Sequence, residues 1–413
     1  MRIPMILCQA RAWAPLAALL LAACSSSPFK RADHDVAWVT VPGVGDRMLV
    51  AGGTRDGTVP LDTAIAWTSQ TQRYQVIGTM SGLRGWARLA PHRTGGRLDG
   101  VMLIGGDTFF VDYYLEARCS MQRVIRLKRQ RLRDFAVART PTGPIVIGGA
   151  TAFADHNGDP DLINATGSSD TSAEILWQTG LELSKFPHEC ASAVGPASGT
   201  ALQIGGTREV HMKVSRAGHT ATAVAGWADR VLVVGGSFTD RRAEAYNPAS
   251  GAFEDAGSLW QPRRFHTATK VAGDHILIAG GRVDDGTGDA PPTATAELWD
   301  RTIQVFIPLS PMATARSNHA AVLLDDGRVL LIGGRGPGGE FLSSSEFFDP
   351  ATRTFSRGPT LRHARSNHAA IHRYGNVYVT GGTGPDGTVE EIEHFATFLP
   401  NQFFAVQDPV LGP

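Results

Sequence analysis

Val231-Leu232-Val233-Val234-Gly235-Gly236 is a run of four apolar residues closed by two glycines, and the chain returns to this pattern again and again. Four to six apolar residues without alternation read as a strand buried on both faces. The glycines after them read as backbone that takes positive φ or packs too tightly for a side chain. Doublets of this kind stand at Gly52-Gly53, Gly105-Gly106, Gly148-Gly149, Gly205-Gly206, Gly235-Gly236, Gly280-Gly281, Gly333-Gly334 and Gly381-Gly382, spaced 53, 43, 57, 30, 45, 53 and 48 residues apart. Most of these intervals are the length that one four-stranded unit of a repeat array occupies.

A second period runs in phase with the first. Glu-x-aromatic follows the doublet, a second aromatic comes seven residues later, an Arg ten beyond that and a His three further on. The copies are Glu244, Tyr246, Phe253, Arg263, His266; Glu297, Trp299, Phe306, Arg316, His319; and Glu346, Phe348, Phe355, Arg365, His368. Trp67, Tyr74 and Arg84 keep the spacing, with Ile65 and Ala87 in place of the Glu and the His. These residues resemble the kelch motif, in which an apolar-Gly-Gly strand is followed by two spaced aromatics. Asn247-Pro248 and Asp349-Pro350 match that family's turn before the last strand of a blade. The resemblance is strong over 216 to 382, fair over 34 to 106 and weak between.

It implies an all-β, kelch-like β-propeller of about seven to eight four-stranded blades, with the aromatics filling the gaps between blades. Counting doublets gives eight blades. One is expected to be degenerate, because between Gly206 and Arg216 only Glu209 to Val214 can supply a strand. The C-terminal segments Val389 to Phe398 and Phe403 to Val406 are expected to complete the last blade beside the first.

The N-terminus reads as a targeting segment. Arg2 and Arg11 precede an apolar stretch from Ala12 to Leu20, and Leu21-Ala22-Ala23-Cys24 resembles the bacterial lipobox, cut before a cysteine that becomes lipidated. The stretch is short for a permanent bilayer-spanning helix. Residues 1–23 are therefore expected to be a lipoprotein signal peptide, 24–33 a tether and 34–413 a single propeller. Ser25 after Cys24 implies sorting to the outer membrane of a Gram-negative envelope. An incidental cysteine behind an ordinary secretory signal is the alternative.

Lys plus Arg and Asp plus Glu are equal at 39 each, a balance that gives nucleic acid nothing to hold, and a monomer is expected. The one basic run, Arg123 to Arg133, alternates like the solvated face of an edge strand, with an anionic lipid or glycan contact as the alternative. Cys119 and Cys190 remain once Cys8 leaves and Cys24 is lipidated; a disulfide and two reduced thiols fit equally.

Arg216 with His219, Arg263 with His266, Arg316 with His319 and Arg365 with His368 form a recurring Arg-x-x-His pair at the start of each innermost strand. Together they are candidate axial contacts for an anion or another ligand. Their regularity argues for a structural device instead, with Glu244, Glu297 and Glu346, each 19 residues ahead of an Arg, pairing with it across blades. Asp155, Asn157, Asp159 and Asp161 alternate as hard-cation ligands do, and their loop resembles calcium loops of extracellular β repeats. Pro160 stands where those loops carry Gly, and no bidentate Glu follows; a polar surface loop fits as well. Asp284 to Asp289 reads as a hairpin tip.

No Gly-x-Ser-x-Gly elbow, His-Glu-x-x-His helix or Walker loop is present. Copper radical oxidases share the kelch propeller, but the six tyrosines offer only Tyr113-Tyr114 near Cys119 for a Cys-linked tyrosine. Kelch-type sugar mutarotases are the better enzyme parallel, with Glu174, His188, Glu189 and His211 as spare polar groups. The expected function is a non-catalytic, envelope-anchored module that binds or scaffolds an envelope protein. Carbohydrate binding, or mutarotase-like activity in the propeller mouth, is the alternative.

Overall fold

The computed structural model describes residues 31–41, 45–55, 59–68, 73–80, 88–94, 97–104, 110–115, 120–126, 136–140, 143–147, 170–177, 206–283, 290–397 and 403–406. Within them, seven four-stranded antiparallel sheets follow one another along the chain. Their innermost strands are Asp35–Val41, Arg88–Thr94, Ala136–Thr140, Thr220–Val224, Thr267–Lys270, Ala320–Leu323 and Ala369–Arg373. Each of these packs beside the next, and the seventh packs beside the first. The sheets are the blades of a closed β-propeller.

The fourth blade shows why the sequence folds this way. Its strands are Thr220–Val224, Arg230–Val234, Arg242–Asn247 and Ala252–Ser258, in that order from axis to rim. Val231 and Val233 point at the third blade and pack with Ala138 and Met212. Leu232 and Val234 point the other way, onto Ile276, Ile278 and Trp299 of the fifth blade. A strand sandwiched between two neighbours has no polar face, so its apolar run is continuous. The two aromatics of the repeat are cross-strand partners: Tyr246 faces Phe253, Trp299 faces Phe306 and Phe348 faces Phe355 in register. Each of these pairs fills the gap to the preceding blade, as Phe348 does against Leu277 and Leu298.

The turns between those aromatics follow one design. The Asn247 carbonyl accepts the Gly251 N–H at 2.8 Å while its Oδ1 accepts the Ala249 N–H at 3.0 Å. Asp349 does the same for Arg353 and Ala351, both at 2.8 Å. A side-chain oxygen that mimics a backbone acceptor makes Asn or Asp the natural opener of the turn.

Two features of the ends and the count are now placed. Glu393–Ala396 and Phe404–Ala405 complete the seventh blade, as the C-terminal sequence led one to expect. The degenerate eighth blade is corrected: Gly206–Arg216 is the outermost strand of the third blade, paired with Asp170–Trp177. Gly206 of that doublet therefore opens a rim strand, and among the described residues there are seven blades.

Candidate functional site

The crossovers that enter the fourth to seventh blades from the rim of the preceding one carry the Arg-x-x-His pairs. Arg216, Arg263, Arg316 and Arg365 are fully buried. Their Nη2 atoms lie 3.0, 2.7, 2.9 and 2.5 Å from carboxylate oxygens of Glu244, Glu297, Glu346 and Glu393. The partner of each arginine is thus the glutamate of the third strand in the blade it leads into, not the one 19 residues ahead of it. Glu346 also accepts the N–H groups of Ala313 and Thr314, at 2.7 and 3.1 Å, from the crossover that follows the preceding rim strand. The carboxylate clamps one blade to the next, and its lone pairs are filled by the guanidinium and two amides. Burial pulls the arginines below their usual value, and the glutamates beside them pull them back toward it.

The glycine doublet and the histidine complete the joint. Arg263 donates from Nη1 to the Gly280 carbonyl at 3.0 Å, and the Gly281 N–H donates to the Arg316 carbonyl at 2.9 Å, reaching the next crossover. Gly280 has φ +63°, and a Cβ there would stand 2.4 Å from the Arg316 carbonyl and 3.0 Å from His319 Cε1. No side chain fits, which is the physical reason for the doublet. His266 and His319 reach back one blade, with Nε2 2.9 Å from the hydroxyls of Thr220 and Thr267.

Two members of the repeat escaped the sequence reading. Arg31 and His34 form a fifth Arg-x-x-His pair, with Arg31 Nη1 3.0 Å from the Gly52 carbonyl and His34 Nε2 2.7 Å from Thr380 Oγ1 of the last blade. Glu393-His394-Phe395 is a fourth Glu-x-aromatic. Both signals stood in the sequence at its ends, where the flanking pattern is broken. Arg31, which donates to Thr63, is drawn by burial and by Arg55 down to about 10.

The residue before each histidine forms a second ring, nearer the axis. Asp33, Gly218, Phe265, Asn318 and Asn367 all have positive φ, between 52° and 69°. Their backbones are linked in a chain: Phe265 N–H to the Gly218 carbonyl at 2.8 Å, Asn318 to Phe265 at 3.2 Å, Asn367 to Asn318 at 3.1 Å and Asp33 to Asn367 at 3.0 Å. This ring frames the mouth of an axial cavity of about 410 Å³. His34, His219, His266, His319 and His368 line it; the four candidate arginines do not, being committed to the clamps. Burial, with the adjoining guanidinium groups, holds His34, His266 and His319 well below 6.5 and His368 at about 3. The wall is therefore hydrogen-bonding and uncharged at His34, His266, His319 and His368. The carboxyl and guanidinium groups among its described lining residues are Asp33, Asp35 and Arg88.

Other candidate residues fall elsewhere. Tyr114 is buried in the core between the first two blades. Glu174 and His211 lie on the third and rim strands of the third blade. Arg123 and Arg126 lie on the rim strand of the second. Cys24, Cys119, Asp155, Asn157, Asp159, Asp161, His188, Glu189 and Cys190, and the loop 284–289, lie outside the described residues.

Known proteins share the pattern. The chain is 31% identical over 131 residues to Kelch-like protein 33 of Homo sapiens, covering 32% of this chain and 24% of that one. It is 27% identical over 139 residues to alpha-scruin of Limulus polyphemus, covering 33% and 15% respectively. The relatives are kelch-repeat proteins, and the repeats of this chain are kelch-like. The kelch region is also 25% identical over 191 residues to galactose oxidase of Gibberella zeae, covering 45% of this chain and 23% of the oxidase. The chain thus spans a quarter or less of the length of these kelch relatives. No protein-family model matches it.

Proposed function

We propose that this protein is an envelope-anchored kelch propeller that binds or scaffolds an envelope partner and carries out no reaction of its own. One observation carries the reading. The charged groups that recur in every clamp, from Arg216 with Glu244 to Arg365 with Glu393, are buried and hold blade to blade. Recognition is left to what does not recur, namely the loops and the axial mouth. Kelch repeats in the relatives support a binding role, and the Leu21-Ala22-Ala23-Cys24 sequence supports the lipid anchor, with Ser25 favouring the outer membrane.

Mild cross-linking in intact cells, followed by affinity purification and mass spectrometry, tests the partner. A reproducible, near-stoichiometric envelope protein is the expected result, and an empty purification counts against a protein partner. Cys24→Ala should release the protein into the soluble fraction; retention of that variant in the membrane would remove the anchor from the account.

A second reading is favoured by the polar axial cavity: a carbohydrate bound in the mouth. The name of one relative, galactose oxidase, points to a sugar handled by that protein.

A further inference from the structure

The mouth ring departs from the repeat. Around it the same backbone position carries a carboxylate at Asp33, glycine at Gly218, an aromatic ring at Phe265 and amides at Asn318 and Asn367. Glycine, asparagine and aspartate are the residues that tolerate positive φ, and a turn needing only that conformation would select them. Phe265 does not belong to that set. A bulky residue held at φ 56° is strained, and such strain persists where the side chain itself is needed. The Phe265 ring lies over Gly218, where a Cβ would come within 2.8 Å of Cε1, and it lines the cavity.

The surroundings narrow the chemistry. Asn318 Nδ2 donates to Asn367 Oδ1 at 2.8 Å, which fixes both amides in orientation before any ligand arrives. His368 is 8% exposed and lines the cavity, and no side chain among the described residues hydrogen-bonds to it, because Ala320 stands where the preceding blades offer Thr220 and Thr267. The imidazoles of His34, His266, His319 and His368 are neutral, and among the described lining residues two carboxyl groups, Asp33 and Asp35, accompany one guanidinium, Arg88, which gives an anion no excess of cationic groups there. A volume of about 410 Å³ is that of a small-molecule site. Fixed amides, a carboxylate and an aromatic face together match a ring with paired hydroxyls on its edge and C–H bonds on its face.

We propose that the axial mouth, through Asp33, Phe265, Asn318, Asn367 and His368, binds a neutral saccharide, with Phe265 against the sugar face and the amides and carboxylate on its hydroxyls. The proposal rests on the carbohydrate reading given above and assigns it a site and a class of sugar.

Saturation-transfer NMR on the full chain in detergent tests it, with a panel of neutral mono- and disaccharides as probes and galacturonate and inorganic phosphate beside them. At least one neutral saccharide should bind. Phe265→Gly and Asn367→Gly, which keep the positive φ, should each weaken that binding at least tenfold, while the thermal midpoint of Phe265→Gly holds or rises. Binding of a neutral sugar that both variants leave intact would overturn the site and spare the carbohydrate reading. Binding of galacturonate or phosphate alone would overturn the neutral class. No binding by any probe would overturn the proposal and the carbohydrate reading together.

Discussion

The Gly382 N–H donates to the carbonyl of Arg31 at 2.9 Å, which joins the seventh blade to the first. The same bond links Gly236 to Arg263, Gly281 to Arg316 and Gly334 to Arg365, at 2.9, 2.9 and 2.8 Å. The seam that closes the ring is therefore built like the joints inside it, and residues 31–34 are part of the propeller. Asp46 paired with Arg373 at 2.8 Å adds a second tie across the seam.

Arg316→Met leaves Glu346 buried beside two amides and no cation. Losing one member of a buried pair costs about 3–5 kcal/mol. Denaturant titration should show that loss for Arg316→Met, and a much smaller one for the double variant Arg316→Met with Glu346→Leu, in which no charge is left behind. Equal losses in the two proteins would mean that the clamp is not an isolated charge pair.

Gly333→Ala forces a Cβ to within 2.7 Å of the Arg365 carbonyl at φ +59°, whereas Gly327→Ala meets nothing within 4 Å at φ +85°. Positive φ alone costs an alanine about 1–2 kcal/mol. Gly327→Ala should show that cost and Gly333→Ala clearly more, read as shifts in urea midpoint at constant slope.

Ala320→Thr supplies the hydroxyl that His368 lacks, and it should stabilise the fold by about 0.5–1.5 kcal/mol. Thr267→Ala removes the partner of His319 Nε2 and should cost about 1–3 kcal/mol. Paired thermal unfolding curves decide both signs.

The buried histidines set the response to acid. His34, His266 and His319 are held well below their ordinary 6.5 and His368 at about 3, so the unfolded chain takes up protons before the folded one does. Stability is fully present above pH 6.5 and is lost as pH falls below it, by up to about 1.4 kcal/mol per pH unit for each histidine that stays neutral. Asp35, pushed up by burial, acts in the opposite sense and softens the fall at the acid end. Tm measured across that range should be flat above neutrality and decline below; His319→Gln should make the decline shallower.

The fold was legible because neighbouring blades impose it on the residues: buried strands demand continuous apolar runs, and the close approach of Arg316 and His319 demands Gly280. The Gly205-Gly206 doublet misled because it has the composition of the others, yet Gly206 opens a rim strand. The partner of each arginine was misread because two strands lie between Arg316 and Glu346, so the glutamate nearer in sequence is the one farther in space. The mouth ring was not legible at all. Asp33, Gly218, Phe265, Asn318 and Asn367 share a backbone conformation and no side-chain chemistry, and pattern reading follows side chains.

Closure of the ring by structural, not functional, repeat residues is tested most directly by native-state hydrogen exchange at Gly382. Its amide, bonded to the Arg31 carbonyl, should be protected to the same degree as that of Gly334, bonded to Arg365. Fast exchange at Gly382 beside slow exchange at Gly334 would show an open seam and contradict the closed seven-bladed ring.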